Sequence, residues 1–262
     1  IASMNGVEGN SYVVNGGNVD NKGYSVAFTI SPINNENVRW TLSTSFSQTF
    51  NTLESDPDAD QYELENFLDG TALVKGESIG TFYSYKFLGL NPTDGTPIFE
   101  DYEDNKEVLR GLSKYDTYTR ILEPSGQRDP TISGSLNTTV RWKNFRLSGS
   151  FAYNLGNKIR LFPMYDASVD NTMDANEIRA ENNVNKVYLN RWRKPGDELH
   201  TDIPAIISPG SDLYYKYYRH WSDGSDYSDI QQFAYSIWNM YDYGNHRVVS
   251  GNYLKCSNIS IT

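Results

Sequence analysis

Along residues 38–50 apolar and polar positions alternate without a break. Val38, Trp40, Leu42, Thr44, Phe46, Gln48 and Phe50 fall on one side, and Arg39, Thr41, Ser43, Ser45, Ser47 and Thr49 on the other. A period of two over such a length predicts a β-strand with one greasy and one hydroxyl-rich face. Upstream, Tyr24, Val26, Phe28 and Ile30 alternate with Ser25, Ala27, Thr29 and Ser31. The polar stretch 32–37 between the two runs reads as a turn, so the pair is expected as a hairpin. The pattern returns at residues 132–142 and, after Lys143-Asn144, at residues 145–155. Two residues between two alternating runs predict a second hairpin. Less regular strands are expected at residues 80–90, 97–101 and 251–262.

The connections are unequal. Those at 32–37, 91–96 and 143–144 are short, whereas those near 51–79, 102–129 and 159–250 are far longer than compact domains carry. Short and long alternate, so an up-and-down sheet would gather the short turns at one end and the long loops at the other. Outer-membrane barrels have that asymmetry, with short periplasmic turns and long extracellular loops. The strand at 38–50 would run roughly 40 Å at ~3.3 Å per residue. Tilted by about 45°, it rises roughly 28 Å, which matches the ~25 Å apolar band of such barrels. Trp40, Trp142 and Phe145 lie beside the short turns, and Tyr24, Phe50 and Tyr153 near the long loops, the two levels of an aromatic girdle. The expected fold is therefore all-β: an antiparallel up-and-down sheet forming part of a large transmembrane β-barrel, with minor helix in its loops. A soluble β-sandwich burying the same apolar faces is the alternative that alternation alone leaves open.

Composition narrows the partners. The 262 residues carry 23 Lys and Arg against 33 Asp and Glu, a formal charge of −10. A net-acidic chain lacks the cationic surface that binds phosphate backbones, which argues against nucleic acid. The one cysteine, Cys256, excludes an internal disulfide and any multi-thiolate metal site. No run of apolar residues is long enough for a membrane-spanning helix, but strands that alternate leave little hydropathy signal. Mean hydropathy is −0.61, lean for a thick soluble core, while aromatics at 14% argue against disorder. The chain opens Ile1-Ala2-Ser3, without an initiator Met or a leader pattern. Either a signal has been removed or these residues are a piece of something longer.

Several segments, in order, resemble the C-terminal half of the SusC/RagA-type TonB-linked outer-membrane proteins of Bacteroidetes. Asp20-Asn21-Lys22-Gly23-Tyr24 opens a strand ending Ser31-Pro32-Ile33. Gly80-Thr81-Phe82-Tyr83-Ser84-Tyr85-Lys86-Phe87-Leu88-Gly89-Leu90 is followed by Asp94-Gly95-Thr96-Pro97. Asn137-Thr138-Thr139-Val140-Arg141-Trp142-Lys143-Asn144-Phe145 runs on to Tyr153-Asn154-Leu155-Gly156-Asn157-Lys158. Asn190-Arg191-Trp192-Arg193-Lys194-Pro195-Gly196-Asp197, with Asp202-Ile203-Pro204, and the stretch from Gly251 to Ile261 complete the likeness. Such proteins carry a plug domain and a barrel of about twenty-two strands. The resemblance implies that residues 1–262 are a partial barrel of about seven strands, without plug or final strands. It also implies an outer-membrane location and import of oligosaccharide, or in some members peptide. Its implied partners are a SusD-like surface lipoprotein, the lipid bilayer, and TonB through the missing N-terminal part. No enzymatic activity is implied.

The residues also carry other candidate chemistry. Gly76-Glu77-Ser78-Ile79-Gly80 matches a nucleophile-elbow pattern, but the strand-like run that follows lacks the helix the elbow requires. A secreted β-rich hydrolase rests on that match alone. Asp56, Asp58 and Asp60 alternate as at the start of a calcium loop, with Glu54 nearby. Yet Gln61 replaces the needed Gly, and Phe67 sits where the bidentate Glu belongs. Calcium there would be irregular; otherwise no cofactor is expected. His200, His220 and His246 are too scattered for a helical zinc pair. Residues 174–185 could form a short loop helix. Tyr214, Tyr215, Tyr217, Tyr218 and Trp221, with Tyr227, Phe233, Tyr235 and Trp238 beyond, make a Tyr-rich stretch suited to stacking on sugars or contacting a partner. The competing reading is that these rings pack the long loop upon itself. Because such rings also suit glycan capture by a secreted protein, a soluble carbohydrate-binding β-sandwich remains the functional alternative.

Overall fold

The computed structural model describes residues 17–100, 106–164, 186–206, 212, 230 and 237–262. In chain order the strands are β1 (Val19–Asn34), β2 (Val38–Leu53), β3 (Thr81–Ser84), β4 (Phe87–Leu90), β5 (Pro97–Phe99) and β6 (Glu123–Gln127). They continue as β7 (Ile132–Trp142), β8 (Phe145–Leu155), β9 (Lys158–Arg160), β10 (Val248–Ser250) and β11 (Tyr253–Ile261). Five of them form one antiparallel sheet in the order β1-β2-β7-β8-β11. Within this sheet the strands stand in chain order, as in an up-and-down wall.

Registers follow the alternation. Val26, Phe46, Gly134, Tyr153 and Leu254 lie abreast on one face, and Thr29, Ser43, Asn137, Ser150 and Asn258 on the other. At Gly134 the row needs the absence of a side chain. A Cβ there would stand 2.5 Å from the Tyr153 ring, which crosses it so that its hydroxyl donates to Ser45 O at 3.2 Å. The phenol thus stays on the greasy face with its polar tip satisfied by backbone. Short turns join β1 to β2 and β7 to β8, and Lys143 N donates to Asn37 O between them at 2.9 Å. The two other connections, residues 54–131 and 156–252, leave from the opposite end.

Two expected strands stand apart from this wall. Residues 80–90 divide into β3 and β4, which pair with β6 and β5 in separate two-stranded sheets inside the first long connection. All four residues of β3 are buried, so they belong to a core and not to a two-faced wall. β9 and β10 prolong the β8–β11 ribbon beyond the wall.

The core sits in the connections. Phe67, Leu109, Tyr118, Ile121, Trp238, Met240 and Tyr241 are buried, drawn from both long segments and packed as one cluster. The wall is the reverse. Phe145 is 62% exposed, Leu254 67% and Ile261 77%, and Phe28, Ile30 and Trp142 are about half exposed. Leaving a large apolar side chain in water forfeits roughly 1.5–3 kcal/mol each, so a bare face of this extent is not a water-facing one. Among the described residues no second sheet covers it, and none of the helices is long and apolar enough to cross a membrane.

Candidate functional site

Away from its short-turn end, the polar face of the wall is built largely of hydroxyls. Cross-strand pairs meet at 2.9 Å between Ser25 and Ser47, Thr29 and Ser43, and Ser45 and Ser135, and at 3.3 Å between Thr139 and Ser148. A hollow of about 310 Å³ opens on this face, lined by Ala27, Thr29, Ser43, Ser45, Ser135 and Asn137, with Phe28 and Thr44 also bordering it. None of these side chains titrates in the ordinary range. The lining of this hollow therefore offers neutral donors and acceptors to water or a polar solute, with no group able to activate a nucleophile.

Above the wall the two long connections are stitched together by a few polar side chains. Arg160 of β9 donates to Leu68 O at 3.2 and 3.1 Å, to Tyr83 O at 2.8 Å and to Ser84 Oγ at 3.0 Å. Its guanidinium lies over the Phe82 and Tyr243 rings, and burial lowers its pKa to about 10, so it remains charged at neutral pH. Asn245 receives Phe87 N at 3.2 Å, donates to Glu123 Oε1 at 2.6 Å, and its backbone N–H reaches Tyr85 O at 2.9 Å. Asp242 accepts from Met164 N at 2.7 Å and faces the buried Arg247 at 3.6 Å. His246 packs against Phe87 and Tyr241, with ring centroids 4.0 and 4.7 Å away. Burial, reinforced by the Arg247 and Arg160 charges, pushes its pKa down to about 3. The imidazole is accordingly neutral packing.

The sequence candidates fall as follows. Ser78 Oγ donates to Asn51 Oδ1 at 2.8 Å, and Ile79 N does so at 2.6 Å, so the hydroxyl closes a loop onto β2. The strand β3, not a helix, follows it. Asp56 pairs with Lys75 Nζ at 2.9 Å on the exposed surface, Asp58 precedes a short 3-10 turn and Asp60 lies in it. Among the described residues no group of three His, Cys, Asp or Glu side chains is placed to hold a metal. Tyr214, Tyr215, Tyr217, Tyr218 and Trp221 lie outside the described residues, as do His220, Tyr227, Phe233, Tyr235 and residues 174–185. Trp238 is in the loop core. The roles of Arg160 and Asn245 left no sequence signal, because their partners, backbone groups together with Ser84 and Glu123, are distant in the chain.

No family model matches the chain. Two curated proteins of Formosa agariphila, both named TonB-dependent receptors, are similar to it. One is 36% identical over an alignment covering 84% of this chain and 24% of the relative. The other is 26% identical over 67% of this chain and 19% of its own length. The chain thus spans about a quarter or less of the curated relatives it matches. Among solved structures, the RagAB peptide transporter superposes with a TM-score of 0.58 at 17% identity, covering 93% of this chain and 22% of that one. The RagAB importer in its "closed-closed" state gives 0.58 at 16% identity, over 94% and 23%. These likenesses agree on the wall fold that the bare apolar face requires. The chain belongs to the TonB-dependent receptors, of the SusC/RagA type that its motifs resemble.

Proposed function

We propose that these residues supply part of the barrel wall and extracellular face of an outer-membrane importer powered through TonB. The observation that carries the reading is the exchange of roles between sheet and loops. The sheet leaves its apolar face bare, which suits hydrocarbon, while the loops keep a core of their own and stand as a fixed rim. The hydroxyl face then borders a hydrated interior, and residues 1–262 form one partial barrel whose remaining strands and plug lie elsewhere in the polypeptide. Among the described residues β1 and β11 are the edges of the sheet, which supports this, since an unpaired strand needs a partner in lipid.

The cargo proposed is an oligosaccharide or a peptide, delivered by a SusD-like lipoprotein seated on the loop rim. The peptide alternative draws support from the RagAB proteins, which are described as peptide transporters. Tyr214, Tyr215, Tyr217, Tyr218 and Trp221 are proposed as contacts for cargo or lipoprotein, on the strength of their stacking chemistry alone. Import requires no covalent step, and the reading assigns none. Among the described residues, the soluble carbohydrate-binding sandwich finds no second sheet over the apolar face.

Uptake of labelled oligosaccharides and peptides by cells carrying the full-length receptor tests this. Loss of uptake on deleting either the receptor or TonB is expected. Uptake that persists without TonB would overturn it.

A further inference from the structure

Three arginines stand side by side at the short-turn end of the wall. Arg39 of β2 is in register with Arg141 of β7, and Arg141 with Arg146 of β8. Their chain neighbours Val38, Trp40, Val140, Trp142, Phe145 and Leu147 carry the apolar face, so the guanidinium groups leave on the hydroxyl side. Directly opposite residues hold their Cβ atoms about 5 Å apart, a spacing at which like charges repel. All three are exposed, and none joins any ion pair formed among the described residues. Their in-row neighbours Asn34 and Thr262 are uncharged. Arg141 Nε reaches Lys143 O at 3.4 Å, which leaves the rest of its fork open.

Fixed cations in a row about 10 Å wide fit an anion that stays, because guanidinium forks bind carboxylate or phosphate with paired hydrogen bonds. Lipid phosphates lie off the other face. Cargo entering by the loops would meet this row last, where tight capture would oppose release. Polypeptide remains as the source of the anion: relatives about four times as long have ample chain outside this span, and transporter barrels of that size hold a plug in their lumen. Resting on the wall reading above, we propose that Arg39, Arg141 and Arg146 form an anion-binding row that anchors an Asp- or Glu-bearing segment of the same polypeptide inside the barrel.

The test uses the full-length receptor in its membrane, with a photo-crosslinking residue at Thr139 or at Val140. These are adjacent positions on opposite faces, and neither is an arginine of the row. The expected result is a Thr139 adduct with an acidic peptide of the same receptor and a Val140 adduct with lipid. Replacing the three arginines together by glutamine should abolish the Thr139 adduct while leaving the Val140 adduct. A Thr139 adduct that survives that replacement, or that maps to lipid or to a segment without carboxylates, overturns the row and leaves the wall reading standing. A Val140 adduct with polypeptide in place of lipid overturns both.

Discussion

The Trp192 indole lies where a side chain on Gly95 would be: a Cβ there would stand 2.4 Å from two ring carbons and 2.8 Å from Ala205 Cβ. Gly95 also has φ +70, and its carbonyl accepts Ala205 N at 2.9 Å. Trp192 is held in turn by Glu198 Oε2 on its indole N–H at 3.0 Å and by Ile203 O on its backbone N–H at 2.9 Å. The Asp94–Pro97 turn and the Asn190–Asp197 segment, far apart in sequence, are therefore two halves of one small packing unit with Leu90. Gly95→Ala should destabilise this part of the rim by about 3 kcal/mol, through overpacking and a strained backbone. Faster proteolysis within residues 190–205 of the full-length receptor would register it.

Arg160 makes a second, longer-range tie. Arg160→Met strips donors from Leu68 O, Tyr83 O and Ser84 Oγ at once and should cost about 2–4 kcal/mol of loop stability. Arg160→Lys keeps the charge but has no planar fork, and should recover only part of the loss. Thermal unfolding of the three proteins in detergent gives the order wild type, Lys, Met.

His246 makes rim stability depend on pH. Its folded pKa, about 3, lies below the ordinary value of 6.5, so between the two the unfolded state binds the extra proton. Stability from the neutral imidazole is present above pH ~6.5 and is lost as pH falls toward ~3, at about 1.4 kcal/mol per unit for one proton. Between pH 7 and pH 5 the wild type should lose about 2 kcal/mol more than His246→Phe, which fills the same space without titrating. Parallel melts at the two pH values measure the difference.

Lys143 occupies φ +53 in the two-residue turn between β7 and β8. A left-handed backbone costs a branched-Cβ or straight side chain roughly 1–2 kcal/mol that glycine avoids. Lys143→Gly should stabilise the hairpin by about 1 kcal/mol, since the Lys143 N–H to Asn37 O bond survives the change. A raised unfolding midpoint checks it.

The wall was legible in the sequence because a half-exposed strand has only one way to sort its side chains. Residues 38–50 and 132–155 announce both faces and, with the two-residue turn, their register. The loop rim was not. Thr81-Phe82-Tyr83-Ser84 has the same β-prone composition as a wall strand, yet it is buried on both sides, and composition cannot report what covers it. The first long connection is accordingly longer than the turn at 91–96 led one to expect, and that turn belongs to the rim. The arginine row shows the same limit from another side: alternation put each guanidinium on the hydroxyl face, but only pairing put the three abreast.

Whether the apolar side of β2 touches lipid decides between a barrel wall and a buried sheet. An environment-sensitive fluorophore placed singly at residues 42 to 47 of the full-length receptor, in bilayers containing brominated lipid, tests it directly. Strong quenching at 42, 44 and 46 with little at 43, 45 and 47 is expected of a wall strand. Quenching at none of them, or without alternation, would contradict it.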